Sequence, residues 1–154
     1  MSQPITVAFQ SQLLNIRKKD KVLEIGTGSG FQAAILAAMG AQVYSIERQI
    51  ELFRKTRILL KDKLNIININ LFYGDGFKGI PDEAPFDKII VTCGAPEVPK
   101  ALLDQLKTGG IMVIPVGVES QIMKRIVKIN DSEYEEEDFG DCLFVPMLKE
   151  RVRK

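Results

Sequence analysis

The fold of this chain is decided by one short stretch, Val22-Leu-Glu-Ile-Gly-Thr-Gly-Ser-Gly30. It begins within a short predicted strand, Lys21 to Ile25, and a helical pattern rich in Ala and Leu follows it from Phe31 to Met39. Three glycines lie between strand and helix, where the backbone can approach a ligand closely and the helix N-terminus offers unpaired amides. A tight turn without a ligand is the alternative interpretation of these glycines.

The spacing of the glycines narrows the choice of ligand. It is G-x-G-x-G, whereas dinucleotide-binding folds have G-x-G-x-x-G, so a nicotinamide or flavin site is disfavoured. The loop lacks the lysine of a phosphate-binding loop, and no basic cluster lies near it in the sequence.

Apolar runs of strand length alternate with helical patterns along most of the chain. Strands are predicted over residues 21–25, 42–46, 66–73, 88–93 and 111–116, and helices near Pro4 and over residues 31–39, 49–63 and 99–106. This alternation predicts an α/β fold with a doubly wound, mostly parallel, Rossmann-like sheet. For the last forty residues we expect an antiparallel strand pair, formed by residues 121–129 and a closing strand near residues 144–146. The acidic run over residues 133–138 is predicted to be a solvated turn.

Composition excludes several function classes. The 154 residues contain no histidine, which removes histidine-based hydrolases and histidine-ligated zinc, and no metal site is expected. Lys and Arg number 21 against 20 Asp and Glu, so the net charge of +1 argues against nucleic acid or an anionic membrane as the main partner. Cys93 and Cys142 fit no metal or redox spacing, and the first residues have no signal-peptide pattern. We therefore expect one domain over residues 1–154, located in the cytoplasm.

Two acidic residues follow predicted strands at the edge of the sheet where ligands bind. Glu47 comes 21 positions after Gly26, close to the spacing of a ribose-binding acid, although a solvated helix-start charge is the alternative. Asp75 follows the third strand between two glycines, and either contacts an adenine amino group or forms an Asx turn. A glycine loop and two acids without a phosphate-binding cation favour S-adenosyl-L-methionine over ATP or NADP.

The chain resembles the protein-L-isoaspartate O-methyltransferases over residues 2 to about 148. The matching segments include Ser2-Gln-Pro4, Val22 to Gly30, Ser45-Ile-Glu-Arg48, Gly74-Asp-Gly76, Pro85 to Thr92, Ile114-Pro-Val-Gly117 and Phe144-Val-Pro146. The resemblance implies methyl transfer from S-adenosyl-L-methionine to the free α-carboxylate of L-isoaspartyl residues in damaged proteins, which begins their repair. It also implies a longer N-terminal segment ahead of Ser2, whose absence would expose apolar surface. We therefore expect a monomer or weak self-association.

The resemblance also implies a site. Ser2 corresponds to the active-site serine, and we expect its hydroxyl to hold the substrate carboxylate, to cap the first helix, or both. Peptide-binding positions fall on Pro96, Val116 and Gly117. Cofactor-binding positions fall on Gly26, Thr27, Gly28, Ser29, Gly30, Glu47, Arg48, Asp75 and Gly76.

Two further hypotheses stay open at this point. One is a protein that binds S-adenosyl-L-methionine without turnover, because the N-terminal segment of the family is missing. The other is an unrelated methyltransferase acting on RNA or a small molecule. The net charge argues against RNA, and so does the lack of an Asn/Asp-Pro-Pro-Tyr motif after the fourth strand, which continues into Thr-Cys-Gly-Ala-Pro.

Overall fold

The computed structural model describes residues 3–152. Its strands are β1 (Lys21–Ile25), β2 (Gln42–Glu47), β3 (Ile69–Tyr73), β4 (Phe86–Val91), β5 (Leu106–Val116), β6 (Gln121–Lys128) and β7 (Tyr134–Cys142). Its α-helices are α1 (Pro4–Leu14), α2 (Phe31–Ala38), α3 (Ile50–Arg57) and α4 (Lys100–Gln105), with short 3₁₀ turns at Gly76–Lys78 and Pro81–Glu83. No helix within residues 3–152 is long and apolar enough to cross a membrane.

The strands form one mixed sheet in the order β3-β2-β1-β4-β5-β6-β7. The first five in this order are parallel, and β6 and β7 are antiparallel to their neighbours. Strands β2 and β4 flank β1 on its two sides, so the chain reverses its direction of winding at β1. In open α/β sheets the ligand crevice lies at the carboxyl end of such a strand. The predicted doubly wound, mostly parallel fold is confirmed, and it places the glycine stretch at this crevice.

Burial on both faces explains why the parallel strands are nearly continuous apolar runs. Successive side chains of a strand point to opposite faces, and Val22 and Leu23 accordingly belong to different core clusters. Helices α1 and α2 cover one face with Leu14 and Leu36, which are fully buried. On the other face Leu102 of α4 is fully buried.

The helix predicted over residues 49–63 is not a regular α-helix. Helix α3 ends at Arg57 and continues as a π-helical segment, Ile58–Lys63. Thr56 and Leu60, which lie four residues apart across this junction, are both buried. Both contact the same neighbour, since a Cβ added to Gly30 would lie 2.9 Å from a side-chain atom of each. The irregular helix therefore packs directly against the end of the glycine stretch.

Two predictions for the last forty residues are wrong. From residue 134 onward the acidic run is not a turn, because it lies in β7 at the edge of the sheet, where charged side chains remain in solvent and discourage further strand pairing. Its charges are opposed across the ladder, with Lys124 bonded to Asp138 and Arg125 to Glu137 at 2.9 and 2.8 Å. Residues 144–146 do not form a closing strand, and Pro146 makes only an isolated bridge with Gly94.

Candidate functional site

The glycine loop, residues 26–30, is held between the ends of β2 and β4. The backbone N–H of Gly26 donates to the carbonyl of Ile46 at 3.0 Å. The Thr92 hydroxyl lies 2.8 Å from the carbonyl oxygens of both Ile25 and Gly26, and donates to them. Gly26 has φ +94, and a Cβ there would lie 2.7 Å from the Thr92 Oγ1. Both the conformation and the close approach therefore require glycine at this position.

Gly28 is the half-buried outer corner of the loop. Its φ is +55, and a Cβ would meet no other atom of residues 3–152 within 4 Å, so this corner is open. Its carbonyl accepts a hydrogen bond from the Thr56 hydroxyl at 2.6 Å, and its N–H donates to Glu47 Oε1 at 3.0 Å. The loop is therefore fixed from behind while its front stays accessible.

Glu47 ends β2 and is almost fully buried, with 5% of its surface exposed. Its second carboxylate oxygen, Oε2, accepts from the N–H of Gln49 at 3.0 Å. Each oxygen of a carboxylate has two lone pairs, so both retain the capacity to accept a further hydrogen bond. The carboxylate is thus held in one orientation and remains able to accept from a pair of neighbouring hydroxyls.

A cavity of about 650 Å³ opens in front of the loop and Glu47. It is large enough for a drug-sized ligand. Seven predicted cofactor positions line it, namely Gly26, Thr27, Gly28, Ser29, Glu47, Arg48 and Gly76. The predicted catalytic residue, Ser2, lies outside the described residues.

Two predicted cofactor positions do not line this cavity. Gly30 precedes α2 and packs against Thr56 and Leu60, as described above. Asp75 accepts from the N–H of Phe77 at 2.9 Å, which is the Asx turn considered from the sequence. Asp75 instead lines a second, more open cavity of about 630 Å³. This turn occupies one oxygen of the Asp75 carboxylate. The contact of Asp75 with an adenine amino group stays a prediction.

The three predicted peptide-binding residues lie together beside the main cavity rather than in its lining. Ala95 bridges to Val116, and the N–H of Gly117 donates to the Ala95 carbonyl at 2.8 Å. Pro96 follows Ala95 and is exposed. The structure therefore brings Pro96, Val116 and Gly117 to one place on the surface, at the end of β5.

Glu24, which was not among the predicted site residues, lines the cavity and is fully buried. Its Oε1 accepts from the Ser45 hydroxyl at 2.5 Å, and Ser45 is 2.6 Å from the Thr27 hydroxyl. Its Oε2 has no hydrogen-bond partner among the described residues. Burial, opposed by the Ser45 hydrogen bond and assisted by the charge of Glu47, raises the pKa of Glu24 to about 8. An acidic residue between the apolar residues Leu23 and Ile25 was the signal available in the sequence.

Gln32, in the first turn of α2, has a similar environment. It lines the cavity and is 5% exposed. Its Nε2 donates to the Ser11 hydroxyl of α1 at 2.6 Å, while its Oε1 finds no partner within residues 3–152. A buried polar atom without a partner costs about 1–3 kcal/mol. The cavity therefore carries two buried oxygens, Glu24 Oε2 and Gln32 Oε1, with unused hydrogen-bonding capacity.

Cys93 also lines the cavity, just beyond the end of β4. Burial and the nearby charge of Glu47 raise the pKa of its thiol to about 12. The thiol is therefore neutral at physiological pH and is a poor nucleophile. In the part of the chain that the structure describes, Cys93 and Cys142 are both free.

Residues 143–152, which we call the strap, include a wall of the cavity that the sequence patterns did not predict. Residues 143–148 line the cavity together with the glycine loop. Val145 and Met147 each form a 2.8 Å backbone hydrogen bond with Gly94. The apolar pattern of residues 144–146, interpreted above as a strand, belongs to this wall.

Comparison with known proteins identifies close relatives. The family model for protein-L-isoaspartate(D-aspartate) O-methyltransferase matches residues 1–152. A protein-L-isoaspartate O-methyltransferase of Flavobacterium psychrophilum is 59% identical over 151 residues, covering 98% of this chain and 70% of that protein. One of Christiangramia forsetii is 56% identical over the same length, with the same two coverages.

Solved structures agree with these relatives. A protein-L-isoaspartate O-methyltransferase superimposes with a TM-score of 0.88 at 29% identity, over 95% of this chain and 47% of that one. A putative enzyme of the same name from Plasmodium falciparum, solved with S-adenosyl-L-homocysteine, has a TM-score of 0.85. Its identity is 24%, over 97% of this chain and 76% of that one, so it supports the fold alone.

Proposed function

This chain belongs to the protein-L-isoaspartate(D-aspartate) O-methyltransferase family, and we propose that it transfers a methyl group from S-adenosyl-L-methionine to the free α-carboxylate of L-isoaspartyl residues in damaged proteins. Isoaspartyl-containing proteins and peptides are then its partners. The product is a carboxyl methyl ester, whose formation begins repair of the damaged residue.

The observation that carries this proposal is the polarity of the main cavity. Its described lining combines the glycine loop, the fixed carboxylate of Glu47 and the two unpartnered oxygens of Glu24 and Gln32. S-adenosyl-L-methionine presents two ribose hydroxyls, an ammonium group and a positively charged sulfur, which are donors and cations. The Glu47 carboxylate and the Gln32 oxygen fit such a ligand, because each is an acceptor that gains a partner. Glu24, whose raised pKa keeps it protonated at neutral pH, adds a neutral polar group with unused hydrogen-bonding capacity. The residues present therefore fit the cofactor.

The protein residues have a limited chemical task in this reaction. When bound, the cofactor supplies an electrophilic methyl group. The acceptor is a carboxyl group with an ordinary pKa of about 4, already ionised at neutral pH, so no general base is required. Alignment of the reacting groups can contribute roughly 7–11 kcal/mol to lowering the barrier. We assign the glycine loop, Glu47, Glu24 and Gln32 to holding the cofactor in place.

The substrate side rests on the predicted residues. We propose that Ser2 holds the substrate carboxylate through its hydroxyl, and that Pro96, Val116 and Gly117 line the peptide side. Their grouping beside the cavity supports this assignment, because a peptide there would lie next to the cofactor. We further propose one methyltransferase domain over residues 1–154 that works in the cytoplasm, as a monomer or a weak self-associate, and not on nucleic acid or membranes.

The direct test compares two peptides of identical sequence, one with L-isoaspartate and the other with aspartate. With methyl-labelled S-adenosyl-L-methionine, we expect base-labile label on the isoaspartyl peptide alone. Calorimetric binding of S-adenosyl-L-methionine without transfer would instead support a binding protein without turnover. Label on RNA or on a small molecule would contradict the proposed substrate.

A variant pair separates the substrate role from the cofactor role. Ser2→Ala is expected to lower methyl transfer while leaving the calorimetric affinity for S-adenosyl-L-homocysteine unchanged. Ser132→Ala, in an exposed turn far along the chain, is the matched control and should change neither quantity. Equal transfer by the two variants would remove Ser2 from the mechanism.

A further inference from the structure

Two polar side chains lie on the buried face of helix α1. Val7, Gln10 and Leu14 recur at helical spacing on this face, and α1 packs against β4 and β5. Gln10 has no exposed surface, and its neighbour Ser11 is 5% exposed. Apolar residues would fill these two positions without leaving a polar group to satisfy. The presence of two polar residues side by side on a core face therefore requires an explanation.

The Gln10 amide connects α1 to the end of β4. Its Nε2 donates to the Val91 carbonyl at 3.0 Å and to the Met123 sulfur at 3.7 Å. Both neighbours are acceptors, so the nitrogen, which carries the two N–H donors, faces them. The Gln10 Oε1 has no partner within residues 3–152. The amide is thus held in one orientation although one of its polar atoms stays unpaired.

Ser11 connects α1 to α2. The Gln32 Nε2 donates to the Ser11 hydroxyl at 2.6 Å. Gln32 is the second residue of α2, which begins directly after the glycine loop. We call the Gln10 contact with Val91 and the Ser11 contact with Gln32 the two links of α1. Because they reach two different elements, they hinder α1 both from sliding along the sheet and from rotating about its own axis.

Both links end on residues that flank the glycine loop. Val91 is followed directly by Thr92, whose hydroxyl donates to the Gly26 carbonyl at 2.8 Å. Gln32 comes two residues after Gly30, the last residue of the loop. Helix α1 is therefore tied to the glycine loop from the β4 side and from the α2 side.

The first turn of α1 lies at the main cavity. Gln3, Thr6 and Val7 line this cavity. Gln3 precedes the helix, and its carbonyl accepts from the N–H groups of Thr6 and Val7 at 2.9 and 3.0 Å. Ser2, the proposed holder of the substrate carboxylate, comes directly before Gln3 in the sequence. Helix α1 thus leads from the proposed substrate holder to the two links.

We propose that Gln10 and Ser11 are positioning residues for methyl transfer, which fix α1 so that the substrate carboxylate stays aligned with the cofactor at the glycine loop. This inference rests on the proposed function, since Ser2 is the group that α1 aligns. A misplacement of the reacting groups by about 1 Å can lower a rate by about 100-fold, so a small shift of the helix suffices. An unpaired buried oxygen does not stabilise the fold, so stability alone does not account for Gln10.

The main test uses Gln10→Met, which keeps a similar length and volume and removes the amide. Gln12→Met, at an exposed position of the same helix, is the matched control. Methyl transfer to the isoaspartyl peptide is measured in a single turnover with both ligands saturating. The affinity for S-adenosyl-L-homocysteine is measured by calorimetry, and stability by the urea midpoint.

We expect Gln10→Met to lower the single-turnover rate constant about 5- to 30-fold. The affinity and the urea midpoint should stay near those of the parent, because the unpaired oxygen is removed together with the link. Gln12→Met should match the parent in all three quantities. A parental rate in Gln10→Met would overturn the proposal. A lower rate with an equal loss of stability, or a variant that does not fold, would also overturn it, because Gln10 would then support the fold as a whole.

The second link has its own variant. Ser11→Ala removes the hydroxyl that accepts from Gln32 and should lower the same rate constant about 3- to 10-fold. Ser132→Ala, in the exposed turn, again serves as the control. An unchanged rate in Ser11→Ala would overturn the positioning role of Ser11.

A double variant examines the route through Ser2. In the Ser2→Ala background, Gln10→Met should lower the rate by less than about 2-fold, because no hydroxyl remains to be aligned. The full effect in both backgrounds would overturn this route. The same measurements separate the two proposals. If the parent transfers no label to the isoaspartyl peptide, the proposed function fails and this inference fails with it. If the parent transfers label and Gln10→Met does so equally fast, this inference alone fails.

Discussion

Charged residues are placed very differently at the carboxyl edge of the parallel strands and at strand β7. At the carboxyl edge, Glu24 and Glu47 are at most 5% exposed, and one oxygen of Glu24 has no partner within residues 3–152. Along β7 the carboxylates are exposed, and those of Glu137 and Asp138 pair with cations of β6. The second region contains more acidic residues, yet the first contains the cavity.

The difference shows that burial, rather than the number of charges, distinguishes a candidate site. A buried carboxylate is costly unless something compensates for it, so its presence requires an explanation. A solvated acidic strand needs none, since it protects an exposed sheet edge from pairing. The comparison can be tested by making equivalent changes in both regions.

The largest difference is expected in the pH dependence of stability. The pKa of Glu24 is raised from 4.5 to about 8 in the folded chain, so the folded state holds a proton that the unfolded state has released between these values. Stability should therefore fall as pH rises through this range and level off above it. The contribution has an upper limit of about 5 kcal/mol, at about 1.4 kcal/mol for each pH unit.

Urea unfolding at pH 5.5 and pH 8.5 measures this effect. Glu24→Gln mimics the protonated acid and keeps an acceptor for Ser45. Its unfolding free energy should therefore fall much less between the two pH values than that of the parent chain. Glu136→Gln in β7 is the matched control and should keep the decrease. If Glu24→Gln follows the parent at both pH values, Glu24 is already ionised at the lower one.

The next effect compares two glycines that have the same φ of +94, Gly26 in the loop and Gly140 in β7. Gly140→Ala should cost about 1–2 kcal/mol from backbone strain alone, because within the described chain its Cβ would have nothing within 4 Å. Gly26→Ala adds a clash 2.7 Å from Thr92, which should raise the cost by about 1–3 kcal/mol. Urea unfolding of both variants measures the difference. Equal costs would mean that Thr92 moves away freely.

The loop that contains Gly26 could be predicted from the sequence, whereas the strand that contains Gly140 could not. The parallel strands, the loop between β1 and α2 and the position of Glu47 follow from local patterns, because periodicity and glycine spacing are local properties. The strand at residues 134–142 could not be predicted in this way. Its run of consecutive acidic residues makes sense only beside Lys124 and Arg125 of β6. The burial of Glu24, the pairing of Gln32 with Ser11 and the path of the strap likewise depend on contacts that are distant in the chain.

Glu47 allows the same comparison for ligand binding. Glu47→Gln replaces one acceptor oxygen by an NH₂ group, which leaves one of the two backbone N–H groups without its acceptor and weakens the proposed ribose contacts. We expect the dissociation constant for S-adenosyl-L-homocysteine to rise about 10- to 30-fold, or roughly 1.4–2 kcal/mol. Glu135→Gln in β7 should leave it unchanged by calorimetry. An unchanged constant for Glu47→Gln would remove Glu47 from cofactor binding.

The smallest effect is expected at the shortest ion pair between β6 and β7. Glu137 lies 2.8 Å from Arg125, but its side chain is 59% exposed. Water screens such a pair, and fixing two long side chains costs entropy, so Glu137→Gln should change the unfolding free energy by less than about 0.5 kcal/mol. Urea unfolding at low salt and again at about 0.5 M NaCl would show the difference shrinking, because added salt screens exposed charges. A loss above about 1 kcal/mol that persists in salt would contradict the contrast between the two regions. It would mean that the exposed charges of this edge affect the unfolding free energy as strongly as the buried charges of the cavity do.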